Sequence, residues 1–589
     1  MKRENHKLDK KTVISLAALV IIILLALMSS LTTKATLFQG VNTQEVIIPG
    51  LDGTRLRAVV YKPQGAQGKL PAVLVIHGLG GSSDTMNALS TELARNGVLV
   101  LALNYRGHDG SEGGVNYIGD PVAAPNISND LIACLNYLLK RDDVDSNRIG
   151  VIGYSMGSRA ALRLGMLVPT VNPVIMIGPY YSWEIGGVNT TTPKNLLIIV
   201  GQNDMITSPG LAQLLFNYAT FNQGKPGEIF GSIEKGTGRK LVVIPGADHY
   251  SIIFTREAVK EAVSWVLSCY GVGKPSYLFD PTLLASISSS SSFLTIIGVL
   301  LVSYITTKYL RIRGAIQGEE KGERKRLVLA TVIIATASLY YILVSFFIIP
   351  LVVDWGWRAY QFAMFSGAQY TIYYYGFLAL ALILFILIYA YLKRGFVNEL
   401  RRSITINIKP GIITVLIAWL FVYLMYNLSL TGIVANYAMT PIRFALMLYL
   451  AFICLVPLVI DEVVLRRVIQ ESVPSKHGWA RILVTIIVEY IVRVLPLAWW
   501  VSISSNPLLV DAFLKQYVSI GLISPVNLET VKAFLPMNAF GLYYAFSGVE
   551  LLHAIGASYL YEEYRNVLVT GLFRSLTVAF TMAAVMALL

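Results

Sequence analysis

Gly150-Val151-Ile152-Gly153-Tyr154-Ser155-Met156-Gly157 is the stretch that decides the fold of this chain. An apolar run delivers a serine flanked by glycines into the start of a helix. Gly153 and Gly157 permit a tight strand-to-helix turn, and such a turn holds a serine hydroxyl clear of the backbone, where it can be activated. The serine alone is moderate evidence. Two further apolar runs strengthen it: Asn195-Leu196-Leu197-Ile198-Ile199-Val200-Gly201-Gln202-Asn203-Asp204 ends on an aspartate, and Leu241-Val242-Val243-Ile244-Pro245-Gly246-Ala247-Asp248-His249 ends on a histidine. Serine, acid and histidine therefore follow one another, each at the end of a strand-like run.

Three more motifs lie around this frame. Val73-Leu74-Val75-Ile76-His77-Gly78-Leu79-Gly80-Gly81 is a strand running into a His-Gly turn. Asn104-Tyr105-Arg106-Gly107-His108-Asp109-Gly110-Ser111 is a loop after the next apolar run, and Asp145-Ser146-Asn147-Arg148 leads into the serine strand. With these motifs and this order, residues 42–268 resemble the α/β-hydrolase superfamily, nearest to its dienelactone-hydrolase-like and prolyl-oligopeptidase-like serine hydrolases. The resemblance implies an α/β fold with a mostly parallel eight-stranded sheet and a triad of Ser155, Asp204 and His249. It also implies Gly153 and Gly157 as the glycines of the elbow, and the backbone N–H groups of Leu79 and Met156 as the oxyanion donors. The implied chemistry is acyl transfer through an acyl-enzyme, with no cofactor and no metal.

Asp248 is adjacent to His249 and competes with Asp204 for the acid role. Neighbours on an extended segment point to opposite sides, which favours Asp204. His77 and His108 each sit beside a glycine in a turn, where an imidazole bonds to backbone, and neither lies in a zinc-ligand spacing.

The texture from Val41 to Tyr270 is alternating β and α. Strands are expected over 44–49, 55–62, 71–76, 98–104, 148–153, 173–178, 196–201 and 241–245, and helices over 84–95, 127–140, 156–167, 209–219 and 254–268. Between 178 and 194 there is no room for a large helical cap, so an open cleft is expected. Tyr154, Tyr180, Tyr181, Trp183 and Tyr250 lie near the catalytic loops as candidate pocket residues.

Composition shows that this domain is only half of the molecule. The chain has 589 residues, 55% hydrophobic and 14% charged, which excludes a wholly soluble enzyme. Lys2, Arg3, Lys7, Lys10 and Lys11 precede an apolar run from Val13 to Met28, which reads as an uncleaved signal anchor over 1–35. The hydrolase-like domain then occupies 36–272. A Gly- and Ser-containing connection over 273–292 reads as a linker, and 293–589 reads as an all-α polytopic transmembrane domain of about eight helices. Its expected spans are 293–310, 327–350, 368–392, 411–430, 444–460, 482–502, 537–560 and 567–587.

Basic residues fall after alternate spans: Arg311, Arg313, Lys321, Arg324, Lys325 and Arg326, then Lys393, Arg394, Arg401, Arg402 and Lys409, then Arg466, Arg467, Lys476 and Arg481. By the positive-inside rule these loops and the N-terminus are cytoplasmic, and one anchor crossing puts the hydrolase-like domain outside. Topology thus accounts for most of the net charge of +13, and no nucleic-acid partner is expected. The expected partners are the lipid bilayer and a small-molecule ester or peptide substrate. Cys134 and Cys269 are expected on opposite faces of the sheet, too far apart for a disulfide.

Inside the spans, Glu489 with Arg493 and Glu550 with His553 have helical spacings that let each pair neutralise itself. Asp461-Glu462-Val463-Val464-Leu465-Arg466 resembles the EExxxR motif of the CAAX-protease and bacteriocin-processing family, and Tyr559-Leu560-Tyr561-Glu562 resembles a later part of it. Asp461 stands where that family has its first glutamate, and Arg493 and Arg574 lie near where its histidines would be sought. This degenerate resemblance, over about 410–589, implies a relative without the catalytic histidines. The sequence therefore supports a membrane-tethered serine hydrolase. Its rival is a transporter or receptor-like membrane protein whose hydrolase-like ectodomain binds or processes.

Overall fold

The computed structural model describes residues 9–115, 127–181, 183–273, 275–310, 323–358, 368–475, 477–504, 506–525 and 528–585. Lys2, Arg3 and Lys7, the basic loop residues Arg311, Arg313 and Lys321, and Lys476 lie outside the described residues, as does the side chain of Trp183. Helix α1 (Lys10–Leu37) leads into an α/β unit. Its strands are β1 (Val41–Pro49), β2 (Arg55–Pro63), β3 (Leu70–Ile76), β4 (Leu99–Leu103), β5 (Val144–Tyr154), β6 (Val174–Ile177), β7 (Leu196–Gly201) and β8 (Arg239–Ile244). Its helices are α2 (Asn87–Arg95), α3 (Ile127–Leu139), α4 (Met156–Leu167), α5 (Pro209–Thr220) and α6 (Arg256–Tyr270). Each expected strand and helix of this half is present, shifted at its ends by a few residues.

The eight strands form one sheet in the order β1-β2-β4-β3-β5-β6-β7-β8. The β1–β2 and β2–β4 pairs are antiparallel, and every other pair is parallel. Every residue of β4, β6 and β7 is buried, because a strand covered by helices on both faces has no solvent side. One face packs against α3, α4 and α5, and the other against α2 and α6. Cys134 lies in the first of these cores and Cys269 against the second, and both thiols are free. Strand order reverses at β3 and β5, so the crevice beyond their carboxyl ends is where an open α/β sheet takes its ligand.

The remaining helices are α7 (Thr282–Tyr309), α8 (Glu323–Arg358), α9 (Ala368–Leu392), α10 (Phe396–Thr405), α11 (Ile408–Leu430), α12 (Pro441–Glu462), α13 (Gly478–Ser504), α14 (Pro507–Ser519), α15 (Leu528–Tyr564) and α16 (Val567–Val585). α12 continues into a π-helical turn, Val463–Gln470. Among the described residues eight helices are long and apolar enough to cross a membrane: α1, α7, α8, α9, α11, α12, α13 and α16. α1 exposes Val13, Ile14, Val20, Ile21, Leu24, Leu25, Met28 and Leu31 over its length. That surface matches lipid better than water.

The expected linker over 273–292 requires correction, because α7 begins at Thr282 and its serines are helical. The hydroxyls of Ser286, Ser288, Ser289 and Ser292 donate to the carbonyls of Thr282, Leu284, Ala285 and Ser288 one turn back. A serine whose hydroxyl returns to the i−4 carbonyl satisfies its own polarity inside a helix, so a polar composition did not mean an irregular chain here.

Candidate active site

Ser155 stands between β5 and α4 with φ +53° and ψ −121°, a strained conformation for a residue with a side chain. The surroundings force it. A β-carbon on Gly157 would lie 2.5 Å from the His77 carbonyl oxygen, and one on Gly78 would lie 3.0 Å from the Ser155 β-carbon. Only glycines allow β3, β5 and α4 to converge this tightly.

The serine hydroxyl is 2.9 Å from His249 Nε2, and His249 Nδ1 is 2.8 Å from Asp204 Oδ2. Three residues distant in sequence thus meet beyond the carboxyl ends of β5, β7 and β8. Asp204 accepts further hydrogen bonds from the N–H groups of Ile206 and Thr207, at 2.9 and 2.7 Å, and from the Thr207 hydroxyl at 2.8 Å. Burial opposes its ionisation, but the His249 and Thr207 contacts outweigh burial and hold its carboxyl below the ordinary range. A carboxylate so held orients the imidazole, leaving Nε2 free to accept a proton from Ser155. Asp248 is engaged elsewhere: it accepts from Tyr250 N at 3.0 Å, Ser251 N at 2.7 Å and the Ser251 hydroxyl at 2.8 Å.

Leu79 follows Gly78, which packs against Ser155, and Met156 follows Ser155 itself. Met156 opens α4, where an N–H has no intrahelical acceptor, and Leu79 is 40% exposed at the apex of the turn after β3. The next N–H of that turn, from Gly80, is taken by His108 Nε2 at 3.1 Å. His108 Nδ1 faces the Arg106 carbonyl at 3.1 Å, so its proton sits on Nδ1. Burial keeps His108 neutral, its pKa well below the ordinary value, and burial lowers His77 to about 4. His77 stacks on Tyr105, with ring centroids 4.3 Å apart. Both histidines brace the turn. Among the described residues no group of three or more His, Cys, Asp or Glu side chains is placed to hold a metal ion.

Of the candidate pocket aromatics, Tyr154 is buried and donates to the His249 carbonyl at 2.7 Å, which makes it part of the support under the histidine. Tyr250 meets the His249 ring edge-on at 5.7 Å. Tyr181 donates to the Leu211 carbonyl at 2.9 Å, and the Tyr180 N–H donates to the Ser158 hydroxyl at 2.8 Å.

Residues 56–217 match the Dienelactone hydrolase family. This segment of the chain has the α/β-hydrolase fold. An uncharacterized protein of Mycobacterium tuberculosis is 31% identical over 147 residues, 25% of this chain and 49% of its own length. Cutinase est2 of Thermobifida alba is 24% identical over 205 residues, 33% of this chain and 58% of its own. The solved esterase of Pyrobaculum calidifontis is 19% identical with a TM-score of 0.31, over 43% of this chain and 94% of its own. The chain spans about half the length of the curated relatives it matches.

Two features of this site are not read from the sequence. Thr207 could have been found, since a Thr three residues after an Asp at a turn is an Asx-type signature. The contacts made by residues 432–443 could not, because they join positions more than 300 apart. In the helical half, the expected local pairs are present but loose, Arg493 to Glu489 at 3.6 Å and His553 to Glu550 at 3.5 Å. Tighter contacts cross between helices: Arg466 to Glu489 at 2.6 Å, Arg493 to Glu550 at 2.9 Å, and Arg574 to Asp461 and to Glu462, both at 2.6 Å. The outcome is one buried network instead of two self-contained pairs.

Proposed function

We propose that this protein is a membrane-tethered serine hydrolase. It cleaves an ester, thioester or short peptide amide outside the cytoplasm. Its nucleophile is Ser155, its base His249 and its acid Asp204. The observation that carries the reading is the continuous relay from Ser155 Oγ through both His249 nitrogens to Asp204, built on a strained elbow. His249 takes the Ser155 proton as Oγ attacks the substrate carbonyl. The N–H groups of Leu79 and Met156 receive the negative charge that develops on the carbonyl oxygen. His249 then returns the proton to the leaving group, and water activated by the same imidazole releases the acyl group. The cutinase among the relatives favours an ester over an amide.

The anchor over 1–35 and the helices from Thr282 onward hold the hydrolase at the membrane. Its outer location is supported by the charge of the loops and by contact. The hydrolase touches the loop 431–440 between α11 and α12, which the charge pattern also puts outside. At the opposite end of the bundle Lys308, near the end of α7, pairs with Asp9 at the start of α1.

Labelling of the full chain by a fluorophosphonate probe, in lipid nanodiscs, tests the proposal against Ser155→Ala and His249→Ala. Labelling and short-chain ester hydrolysis are expected in the native protein and lost in both variants. A folded native protein that neither labels nor hydrolyses such esters refutes it.

A further inference from the structure

We propose that the membrane half positions the oxyanion turn of the hydrolase, with Asn436 and Arg443 as positioning residues. This rests on the reading of Ser155, His249 and Asp204 as the active site. The turn 78–84 carries the Leu79 N–H, and the loop 104–111 braces it at two points. His108 Nε2 accepts from Gly80 N at 3.1 Å, and the Asn104 side chain accepts from Ser83 N at 2.5 Å. The direction of the Leu79 N–H therefore depends on where the loop 104–111 sits.

That loop is in turn gripped from the membrane half. Arg443, in the first turn of α12 and 5% exposed, donates from Nη2 to the Gly107 carbonyl at 2.9 Å and from Nη1 to the Ala583 carbonyl of α16 at 2.8 Å. One guanidinium thus ties the residue before His108 to the ends of two helices. Asn436 donates to Asp109 Oδ1 at 2.5 Å, while Arg57 and Asn104 hold the other oxygen of the same carboxylate at 2.5 and 3.2 Å. Asp109 has φ +26°, a conformation that its neighbours must impose.

The oxyanion turn is held directly as well. Gly432 N donates to Asp84 Oδ2 at 3.0 Å, and Asn87 Nδ2 donates to the carbonyls of Gly432 and Ile433, each at 3.3 Å. Between the two halves lies a cavity of about 10 Å³, lined by Gly80, Gly81, Asp109, Asn436, Arg443 and Ala584 among others. That is room for about one water, so the turn is seated on the membrane half with little slack.

A small displacement of an oxyanion donor is expensive in rate and cheap in binding, because the donor meets charge that exists only in the transition state. Loosening either grip is therefore expected to lower kcat about tenfold with KM within about twofold, less than the loss of a whole donor would produce. A residue that only docks the two halves together would not give this split.

The test uses full-length protein in nanodiscs: native, Arg443→Ala, Arg443→Lys, Asn436→Ala, and Asn96→Ala as a control. Asn96 bonds Ser276 at 2.7 Å, a contact that involves neither the oxyanion turn nor the loop that braces it. The readouts are p-nitrophenyl ester kinetics and amide hydrogen exchange. Exchange is expected to rise in 78–84 and 104–111 in both alanine variants, and not in β7. The kcat is expected to fall in both, with partial recovery in Arg443→Lys and no change in Asn96→Ala. Unchanged exchange in the two loops, or native kcat despite faster exchange, overturns the proposal. If the native protein is inert toward both ester and fluorophosphonate, exchange still decides: selective loosening upholds the grip while refuting the hydrolase reading, and no loosening overturns the grip itself. Asn436→Ala, which removes one side-chain contact, keeps the test decisive should Arg443→Ala fail to fold.

Discussion

Gly153 and Gly157 approach so closely that a β-carbon built on Gly153 would lie 2.0 Å from the carbonyl oxygen of Gly157. No rotamer relieves a clash with backbone, so β5 or α4 would have to move. Gly153→Ala is expected to destabilise the α/β unit by about 3 kcal/mol or more and to displace Ser155 from His249. Thermal unfolding and fluorophosphonate labelling of the full chain measure the two effects. A variant with native stability and labelling would show that the turn is not built as described.

Asp204 and Asp248 separate cleanly by substitution. Asp204→Asn keeps the shape but loses the charge that stabilises the imidazolium and favours its tautomer, and the expected fall in kcat is about 10³- to 10⁴-fold. Asp248→Asn weakens only the turn at Tyr250 and Ser251, and its kcat is expected within about threefold of native, at a stability cost of about 1 kcal/mol. Steady-state ester hydrolysis by the two variants decides. Equal losses would remove Asp204 from its assigned role.

Asp84 predicts a pH dependence at the seam between the two halves. Burial raises its pKa to about 6, with Asp109 adding to the shift and Arg57 and the Gly432 N–H opposing it. A carboxyl that binds its proton more tightly folded than unfolded disfavours folding wherever it must ionise. Below the unfolded value, near about 4, both states are protonated and nothing is lost. Stability then falls as pH rises from about 4 to 6, and the loss is constant above that. Water reaching this half-buried side chain reduces the effect to about 1 kcal/mol. The stability difference between native and Asp84→Asn protein, measured at pH 4 and at pH 8, is expected to shift by that amount in favour of the variant at the higher pH. A difference that does not change with pH would refute it.

What the sequence reveals here follows from the range of the physics. The central strands were legible because a parallel sheet buried on both faces demands unbroken apolar runs, as in β4 and β7. Ser155, Asp204 and His249 were legible because each must stand where such a run ends. Ser286 to Ser292 misled because hydroxyls that bond their own helix leave no trace in composition. Arg443 was silent for a different reason: a basic residue at the start of an apolar span reads as an ordinary interfacial charge, and its true acceptor, the Gly107 carbonyl, lies 336 residues away.

The network in the helical half provides a test independent of the proposed active site. Four carboxylates, those of Asp461, Glu462, Glu489 and Glu550, face three guanidiniums, those of Arg466, Arg493 and Arg574, all at most 1% exposed. Arg574 binds Asp461 and Glu462 together, so Arg574→Met leaves Asp461 with Arg493 and Glu462 with Arg466, and four buried carboxylates against two guanidiniums. Breaking a buried pair from one side costs about 3 to 5 kcal/mol, because the remaining charge has no solvent to return to. Removing charge from both sides is much milder. The double variant Arg574→Met with Glu462→Gln is therefore expected to recover part of the loss, as measured by unfolding of the full chain in detergent. Were the single variant as stable as the native chain, the network would not be holding α12 and α16 together. Recovery by the second substitution would show that charge balance, and not side-chain volume, is what Arg574 supplies.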